Sequence, residues 1–232
     1  MSGTVLITGA AKGLGFFLCE VFRESGWTVF AGHREMSSAL AAFAASDAAV
    51  HPVPLDVTDP EGVRAAARVV AGRVSALDVL LNNAAILPQA GRGRIDQVDI
   101  EVGQRVFDVN ALGPLRVTQA FLPLLERGQR RLLVNVSSEA GSIGECWRHD
   151  DYLYCMSKAA LNMQTVLLRN ALAESRISLL AVHPGWMRTS MGGPNAALDP
   201  RDSARALRSL VEAPRAADAP IFVDQNGQAL AW

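Results

Sequence analysis

The sequence has few of the features that mark secreted, membrane-bound or metal-binding proteins. It has only three cysteines in 232 residues, Cys19, Cys146 and Cys155, and this odd number and wide spacing favour a reducing compartment over a disulfide framework. No apolar run approaches the roughly 20 residues that a membrane helix needs. The first strand-like segment follows Met1 so closely that we expect no signal peptide. We therefore expect a cytoplasmic protein with no membrane partner.

Net charge is also nearly absent. The formal charge at pH 7 is −1, so no overall field attracts nucleic acid, and we expect no nucleic-acid partner. The four histidines, at positions 33, 51, 149 and 183, show no metal-ligand spacing, and we expect no metal. Half of the residues are hydrophobic, which suffices for a sizeable core, and the length suits one α/β domain spanning residues 1–232.

Strand-like and helix-like segments alternate along the chain. Short apolar segments rich in β-branched residues predict seven strands, at 4–8, 27–32, 50–55, 77–81, 131–137, 177–183 and 221–223. A helix follows residue 15, and further helices are predicted at 38–46, 58–74, 98–111, 114–127, 151–175 and 201–212. This alternation predicts an α/β fold, a single doubly wound Rossmann-like domain whose parallel sheet of about seven strands carries helices on both faces.

A glycine-rich turn joins the first strand to the first helix. It reads Thr8-Gly9-Ala10-Ala11-Lys12-Gly13-Leu14-Gly15. Gly9 permits a tight turn, while Gly13 and Gly15 let the backbone approach a pyrophosphate and the helix pack closely on the sheet. Glycine triplets are common in loops, but the place of this one between a strand and a helix predicts a dinucleotide site at a helix N-terminus.

Tyr154 and Lys158 lie one helical turn apart and therefore on the same face of a predicted helix. A fixed ammonium nearby favours phenolate and lowers the tyrosine pKa from its usual value of ~10. The spacing alone is a weak signal, because ordinary helix surfaces produce it often. The other tyrosine, Tyr152, has Met156 four residues later and so lacks an ammonium partner.

Together, these motifs resemble the short-chain dehydrogenase/reductase family. Residues 8–15 match its pattern Thr-Gly-x-x-x-Gly-x-Gly, and other matches run along the chain. They are Asp56-Val57, Asn82-Asn83-Ala84-Ala85, Asn110, Ser137-Ser138 and Pro184-Gly185-Trp186-Met187-Arg188-Thr189. The long segment between Ser138 and Tyr154 and the C-terminal Asp-x-x-Gly pattern ending in Trp are similar to the subgroup of C-factor signalling proteins and sniffer-type carbonyl reductases.

The resemblance implies a nicotinamide cofactor bound along the strand ends. The residues that it assigns to the cofactor are Gly9, Ala11, Lys12, Gly13, Leu14, Gly15, His33, Arg34, Asp56, Val57, Asn83, Ala84, Ala85, Tyr154, Lys158, Pro184, Gly185, Trp186 and Thr189. Among these, Asp56 and Val57 would contact adenine, and Asn83 and Ala84 would pass close to the riboses. Ala85 stands where the family usually has glycine, so its Cβ puts the local geometry in question.

Two cations bear on which nicotinamide cofactor binds. The second strand ends at His33 and Arg34 with no acid at the expected place, and Lys12 lies in the glycine loop. In the family, basic residues at these two positions go with NADP, since cations suit a 2′-phosphate. We expect NADP(H) to be preferred over NAD(H). The alternatives are that both are solvated surface cations, or that Glu35 reaches the ribose of NAD.

The resemblance also implies hydride transfer between the cofactor and a small-molecule carbonyl or alcohol. Tyr154 would be the general acid or base, and Lys158 would lower its pKa and bind the nicotinamide ribose. Ser138 would donate a hydrogen bond to the substrate oxygen, and Asn110 would anchor a water chain that resupplies the proton. Alternatives remain: Ser137 is a rival hydroxyl, Ser138 can cap backbone, and Asn110 can mark a helix kink.

The substrate pocket is the least specified part of the sequence. Apolar walls are predicted from Ile86, Leu87, Trp147, Trp186 and Met191, with ordinary loop packing as the alternative. Arg148, His149 and Arg188 are interpreted as exposed surface cations, with contact to an acidic group of the substrate as the alternative. The short segment after Thr189 predicts an open pocket for a broad range of small carbonyl compounds.

Two further expectations come from the resemblance. It implies a homodimer or homotetramer that pairs through the helices near 114–127 and 152–174. The alternative function is a cofactor-binding signalling or redox-sensing protein with little turnover, which has no need of all four catalytic residues. A sugar-nucleotide epimerase would need a larger C-terminal substrate domain than the sequence provides.

Overall fold

Seven strands form one parallel sheet in the computed structural model, which describes residues 3–216 and 218–232. The strands are β1 (Thr4–Ile7), β2 (Thr28–His33), β3 (Val50–Pro54), β4 (Val79–Asn82), β5 (Leu132–Val136), β6 (Ser178–His183) and β7 (Phe222–Asp224). Their order is β3-β2-β1-β4-β5-β6-β7, and every neighbouring pair is parallel. The chain therefore winds one way from β1 to β3 and the other way from β4 to β7, which confirms the predicted doubly wound fold.

Helices connect the strands and cover both faces of the sheet. They are α1 (Gly13–Glu24), α2 (Ser38–Ser46), α3 (Pro60–Ala71), α4 (Gly103–Phe107), α5 (Gly113–Leu125), α6 (Tyr152–Ala171) and α7 (Pro200–Glu212). Helix α1 packs against α7, and α3 packs against α5. The two pairs lie on opposite faces of the sheet, because residues of α1 and α7 share one buried cluster and residues of α3 and α5 share the other.

Successive residues of one strand enter two different cores. Val5 and Ile7 of β1 belong to the buried cluster that also contains Leu18 and Phe22 of α1. Leu6, between them, belongs to the cluster that contains Phe121 of α5. Side chains alternate across a strand, so a strand that is covered on both faces needs an uninterrupted apolar sequence. This is why the strands are recognisable as short apolar runs.

The prediction of one regular helix over 98–111 is wrong, because this range contains three different helical segments. A 3₁₀ turn at Ile100–Val102 leads into α4, and a π-helical segment, Asp108–Leu112, joins α4 to α5. Pro114 has no N–H, so the carbonyl of Asn110 cannot receive the usual α-helical bond and the turn is wider there. The predicted helix over 151–175 is also shorter, because α6 ends at Ala171 and the chain then turns into β6.

Candidate active site

The C-terminal ends of the strands open into a cavity of about 800 Å³. Its walls come from segments that directly follow four strands and from the end of a fifth. Gly9 follows β1, Asn83 follows β4, Ser138 follows β5, Pro184 follows β6, and His33 ends β2. The cavity thus crosses the point between β1 and β4 where the winding reverses, which is the usual ligand position in this kind of sheet.

Nearly all the residues predicted from the sequence meet in this one cavity. The predicted residues that line it are Gly9, Ala11, Lys12, Gly13, Leu14, Gly15, His33, Arg34, Asp56, Val57, Asn83, Ala84, Ala85, Ile86, Leu87, Ser138, Trp147, Tyr154, Lys158, Pro184, Gly185, Trp186, Thr189 and Met191. Asn110 is the exception, since it is fully buried behind the cavity wall.

The glycine loop adopts a backbone that only glycine fits well. Gly9 and Gly13 have φ values of +67° and +56°, in the left-handed region. A Cβ on Gly15 would lie 2.3 Å from the carbonyl oxygen of Gly9 and 2.6 Å from Nδ2 of Asn83. Lys12 is the extended N-cap residue of α1, so the free N–H groups of the first helical turn begin directly after it. The result is a close-packed loop that ends in a helix N-terminus.

Asn83 and Thr8 tie the first and fourth strand ends together. The Thr8 hydroxyl accepts hydrogen bonds from the backbone N–H groups of Asn83 and Ala84, both at 3.0 Å. The Asn83 side chain donates to the Thr8 carbonyl at 2.8 Å. Asn83 therefore has a structural role in holding the loop. At Ala85 the backbone needs no glycine, because positive φ among described non-glycine residues is limited to Arg131, Asp151 and Arg176.

His33, Arg34 and Glu35 line the cavity at the end of β2. His33 is buried, and neither ring nitrogen has a hydrogen-bond partner among the described residues. Burial lowers the pKa of His33, which favours the neutral ring. Arg34 forms an ion pair with Glu35 at 2.9 Å, and both side chains are exposed, 57% and 79% respectively. Glu35 therefore pairs with Arg34 instead of standing alone beside the cavity.

Asp56 is fixed as a carboxylate near the same end. It accepts hydrogen bonds from the Thr58 backbone N–H at 2.9 Å and from the Thr58 hydroxyl at 2.7 Å. Burial acts to raise the pKa of Asp56, but these bonds and the positive charges of Arg105 and Arg34 hold it below its usual value. Arg105 also lines the cavity, and no motif in the sequence marked it. The cavity lining at this end includes two carboxylates, Glu35 and Asp56, and three cations, Lys12, Arg34 and Arg105. The local charge is therefore positive.

Tyr154 and Lys158 project from α6 into the other end of the cavity. Lys158 is 2% exposed, and its Nζ donates a hydrogen bond to the Val136 carbonyl at 2.8 Å. Nζ lies 5.7 Å from the centre of the Tyr154 ring. Burial lowers the pKa of Lys158 to about 7. The helix spacing has therefore placed a buried amine beside a phenol.

The pKa of Tyr154 moves in the direction opposite to the one expected from the sequence. Burial raises it to about 12, against a hydrogen bond with Ser138 that lowers it. The expectation counted the charge of Lys158 but not the removal of water from the phenol. Burial also lowers the pKa of Lys158, so less of its amine is charged at neutral pH to favour the phenolate of Tyr154. In this structure Tyr154 is a protonated phenol at neutral pH.

Ser138 belongs to a chain of polar contacts that no sequence motif marked. Its hydroxyl donates to Oε2 of Glu139 at 2.6 Å, while Oε1 of Glu139 accepts from Arg148 at 2.6 Å. Arg148 also contacts Asp151 at 3.4 Å. The interpretation of Arg148 as an exposed cation is wrong, because its side chain is only 22% exposed and is paired. The neighbouring Ser137 donates to buried Asn162 at 2.6 Å, which leaves Ser138 as the hydroxyl beside Tyr154.

Asn110 holds the cavity wall from behind. Its Oδ1 accepts from the Ile86 backbone N–H at 2.8 Å, and its Nδ2 donates to the Ile86 carbonyl at 2.9 Å and to the Ser157 hydroxyl at 3.0 Å. It lies in the π-helical segment, Asp108–Leu112. The alternative of a helix distortion with a packing role is therefore present in the structure, and both amide hydrogens are already used.

Two exposed tryptophans border the cavity. Trp147 and Trp186 are 72% and 57% exposed, and both line it together with Met191. The Trp186 Nε1 donates to the Gly192 carbonyl at 2.9 Å, and Arg148 lies over the Trp147 ring at 5.1 Å. The pocket therefore has an open apolar rim above the polar contacts of Ser138.

Comparisons with known proteins agree with this arrangement. The model of the short chain dehydrogenase family matches residues 3–198. The chain belongs to the short-chain dehydrogenase family. It is an NAD(P)-dependent oxidoreductase of that family, as the sequence resemblance implied.

Individual members of the family resemble the chain along most of its length. C-signal of Myxococcus xanthus is 38% identical over 157 residues, which are 67% of this chain and 93% of that protein. The structure of the carbonyl reductase Sniffer of D. melanogaster matches with a TM-score of 0.92 at 28% identity and covers 100% of both chains. An NADPH-bound carbonyl reductase from chicken fatty liver matches with a TM-score of 0.91 at 30% identity, covering 100% of this chain and 99% of that one.

In the part of the chain that the structure describes, no helix is long and apolar enough to cross a membrane. Within the same residues, no group of three or more His, Cys, Asp or Glu side chains is arranged to hold a metal ion.

Proposed function

We propose that this oxidoreductase is an NADP-dependent carbonyl reductase that transfers hydride between NADPH and a small carbonyl or alcohol substrate. One observation carries the proposal. A single cavity joins the glycine loop before α1 to Tyr154, Lys158 and Ser138. The similarity to two carbonyl reductases, one of them NADPH-bound, supports the same assignment.

The cavity fits a nicotinamide dinucleotide. The loop at Gly9, Gly13 and Gly15 has no room for side chains at its tightest point, which lets backbone N–H groups approach a pyrophosphate. The two ring nitrogens of buried His33 have no hydrogen-bond partner among the described residues, and a polar group of the cofactor would supply one. Asp56 and Val57 would hold the adenine end, with Asn83 and Ala84 along the middle and Pro184, Gly185, Trp186 and Thr189 on the far side. When bound, the cofactor supplies or accepts a hydride at its nicotinamide ring.

Each catalytic role suits the chemistry of the side chain and its place in the cavity. Tyr154 is a phenol at neutral pH and can give its proton to a developing alkoxide. Ser138 carries a second O–H, which now bonds Glu139 and can stabilise the same charge once it turns to the substrate. Lys158 is fixed by Val136 and can bind a ribose hydroxyl beside Tyr154. Asn110 would act from behind the wall, where it fixes Ile86 and the π-helical turn.

The preference for NADP rests on charge at the adenosine end. Lys12, Arg34 and Arg105 line the cavity against Glu35 and Asp56, which leaves an excess of one positive charge. A 2′-phosphate adds negative charge there and would compete with Glu35 for Arg34. NAD lacks this phosphate and gains nothing from the exchange.

A signalling or redox-sensing protein with little turnover is the second candidate. The observation that favours it is the 38% identity to C-signal. It predicts tight cofactor binding without substrate turnover, whereas the reductase assignment predicts both.

The test is cofactor oxidation followed by absorbance, with NADPH and NADH in parallel and a panel of aldehydes, ketones and quinones. Tyr154→Phe should abolish turnover while leaving NADPH binding intact. Tyr152→Phe is the matched control, because the Tyr152 hydroxyl donates to the His149 carbonyl and should leave turnover unchanged. Equal losses in both variants, or no turnover with any substrate despite NADPH binding, would contradict the proposal.

We also propose that the protein is one domain over residues 1–232 and pairs through α5 and α6. One sheet takes strands from both ends of the chain. Met156, Met163 and Leu167 are 55–61% exposed on one face of α6, whereas Leu161 and Leu172 are buried. Sedimentation should show a dimer or tetramer that Met163→Lys dissociates, while Val69→Lys on α3 should not change it. A monomeric wild-type protein would refute the pairing.

A further inference from the structure

We propose that Glu139 is a specificity-determining residue that binds a substrate hydroxyl adjacent to the reacting carbonyl, so that the enzyme prefers α-hydroxy ketones and the corresponding vicinal diols. This inference rests on the proposed reductase function. Glu139 follows Ser138 directly, lines the cavity, and has a side chain that is 33% exposed.

The hydroxyl hydrogen of Ser138 is shared between two possible acceptors, Glu139 and the substrate oxygen. A serine hydroxyl has one hydrogen to donate, and Ser138 donates it to Oε2 of Glu139 at 2.6 Å. Ser138 cannot give the same hydrogen to a substrate oxygen unless it withdraws it from Glu139. The Ser138 oxygen also accepts from the Ala140 N–H at 3.1 Å, so the hydroxyl can rotate without moving the oxygen. Substrate binding therefore leaves Oε2 of Glu139 without its donor.

Glu139 is not free to turn away and find another donor. Its Oε1 is held by Arg148 at 2.6 Å, and Arg148 is held in turn by Asp151 at 3.4 Å. Arg92 lies 3.7 Å from the other oxygen of Asp151. The carboxylate thus keeps its position when Ser138 rotates, and Oε2 stays beside the reacting oxygen.

The carboxylate is also ionised, which makes it an acceptor only. Burial acts to raise the pKa of Glu139, but hydrogen bonds from Ser138 and Arg148 and the charge of Arg148 hold it below its usual value. A partly buried carboxylate oxygen that loses its donor is destabilised, and a ligand that brings a donor restores the bond.

A hydroxyl on the carbon next to the carbonyl has the geometry to restore it. Two vicinal oxygens are about as far apart as two hydrogen-bonded oxygens, which is the spacing between Ser138 Oγ and Glu139 Oε2. The carbonyl oxygen then accepts from Ser138 and Tyr154 while the neighbouring hydroxyl donates to Glu139. The cluster does not call for a charged substrate, because Glu139 and Asp151 are balanced by Arg92 and Arg148.

The test compares ketone pairs that differ only in the hydroxyl, such as 3-hydroxy-2-butanone against 2-butanone and 2-hydroxyacetophenone against acetophenone. With NADPH, the wild-type kcat/KM should be about 10–100-fold higher for the hydroxylated member, the range of a hydrogen bond to a charged group. Glu139→Met should bring the ratio close to one, mainly by slowing the hydroxy ketone. Glu139→Gln keeps an acceptor oxygen and should retain part of the preference.

Controls separate this inference from the function on which it rests. Glu145→Met removes an exposed carboxylate from the same loop and should leave the ratio unchanged. A wild-type ratio near one, or a ratio that Glu139→Met and Glu139→Gln both leave intact, would overturn the inference while plain ketones still establish a reductase. A stronger preference for a protonated α-amino ketone would overturn the hydroxyl assignment. Absence of turnover with every carbonyl would overturn the reductase function itself.

Discussion

Replacing Arg34 with serine should weaken NADPH binding by about 5–30-fold and leave NADH binding within about twofold. The reasoning starts from a hydrogen bond to a charged group, which contributes about 1.5–3 kcal/mol. Two features of the structure reduce this amount. The Arg34 side chain is 57% exposed, and it must leave its ion pair with Glu35 to bind a phosphate. An exposed pair of this kind is worth about 0–1 kcal/mol.

The remainder is about 1–2 kcal/mol, which corresponds to the 5–30-fold change in Kd. The preference for NADPH should be reduced but not reversed, because Lys12 and Arg105 remain at the same end of the cavity. Glu35→Gln should act in the opposite direction and tighten NADPH binding, since it releases Arg34 from its partner. Added salt should diminish both effects, because the groups are exposed.

The assay is titration of the protein with NADPH, NADH and 2′,5′-ADP, followed by tryptophan fluorescence or calorimetry. The nucleotide 2′,5′-ADP isolates the phosphate-bearing end, so its affinity should fall by the same factor as that of NADPH. Arg64→Ser is the matched control. Arg64 is 52% exposed and pairs with Glu61 on α3, so it resembles the Arg34 pair but stands outside the residues that line the cavity.

Equal weakening of NADPH and NADH would refute the reasoning, because it would mean that Arg34 supports the fold of the site and not the phosphate. Unchanged binding of both would refute it in another way. In that case Arg34 would be a solvated surface cation, which is the alternative that the sequence leaves open.

Three other changes should have measurable effects. Lys158→Met should stop turnover yet stabilise the fold by about 1–3 kcal/mol in urea unfolding near pH 7, because it removes a buried amine whose pKa is lowered to about 7. Above that pKa the folded wild-type protein binds fewer protons than its unfolded chain, so its free energy of unfolding increases with pH. The stability advantage of Lys158→Met should therefore shrink as pH rises to about 10, and a constant or growing advantage would contradict this reasoning. Reductive kcat/KM should not fall between about pH 7 and about pH 9 through loss of the Tyr154 proton, whose pKa is raised to about 12, and the active variant Tyr152→Phe should give the same profile. Gly15→Ala should abolish NADPH binding, since its Cβ would lie 2.3 Å from a backbone oxygen, whereas Gly72→Ala meets nothing closer than 3.5 Å and should be neutral.

The fold and many of the residues that line the cavity could be predicted because their signals are local in the sequence. A strand buried on both faces must be a short apolar run, and residues that follow parallel strands must meet at one edge of the sheet. Gly9, Asn83 and Ser138 each follow such a run, so the strand pattern alone implies that they converge. The spacing of Tyr154 and Lys158 is equally local, because both lie on one helix.

The features that were missed depend on how a loop closes. Glu139 and Arg148 are nine positions apart, and the segment between them has a 3₁₀ turn at Glu139–Gly141 but no α-helix or strand, so no periodicity joins them. The π-helical segment around Asn110 arises where α4 meets α5, because Pro114 has no N–H to bond the Asn110 carbonyl. The sequence pattern does not show how the backbone adjusts to that missing bond. The raised pKa of Tyr154 depends on burial, which a spacing pattern does not report.

The raised pKa of Tyr154 gives the two directions of the proposed reaction different pH requirements. Tyr154 holds its proton at neutral pH, so it can donate to a carbonyl oxygen at once, whereas alcohol oxidation must first remove that proton against a pKa of about 12. Glu139 reinforces this state because its charge raises the pKa of Tyr154, while Arg148 lowers it. A carboxylate placed to bind a substrate hydroxyl would therefore also help to keep the phenol protonated. Glu139→Gln should therefore lower the pKa of Tyr154 and move the rise of the oxidative kcat to lower pH, and an unchanged oxidative pH profile would contradict this role of Glu139.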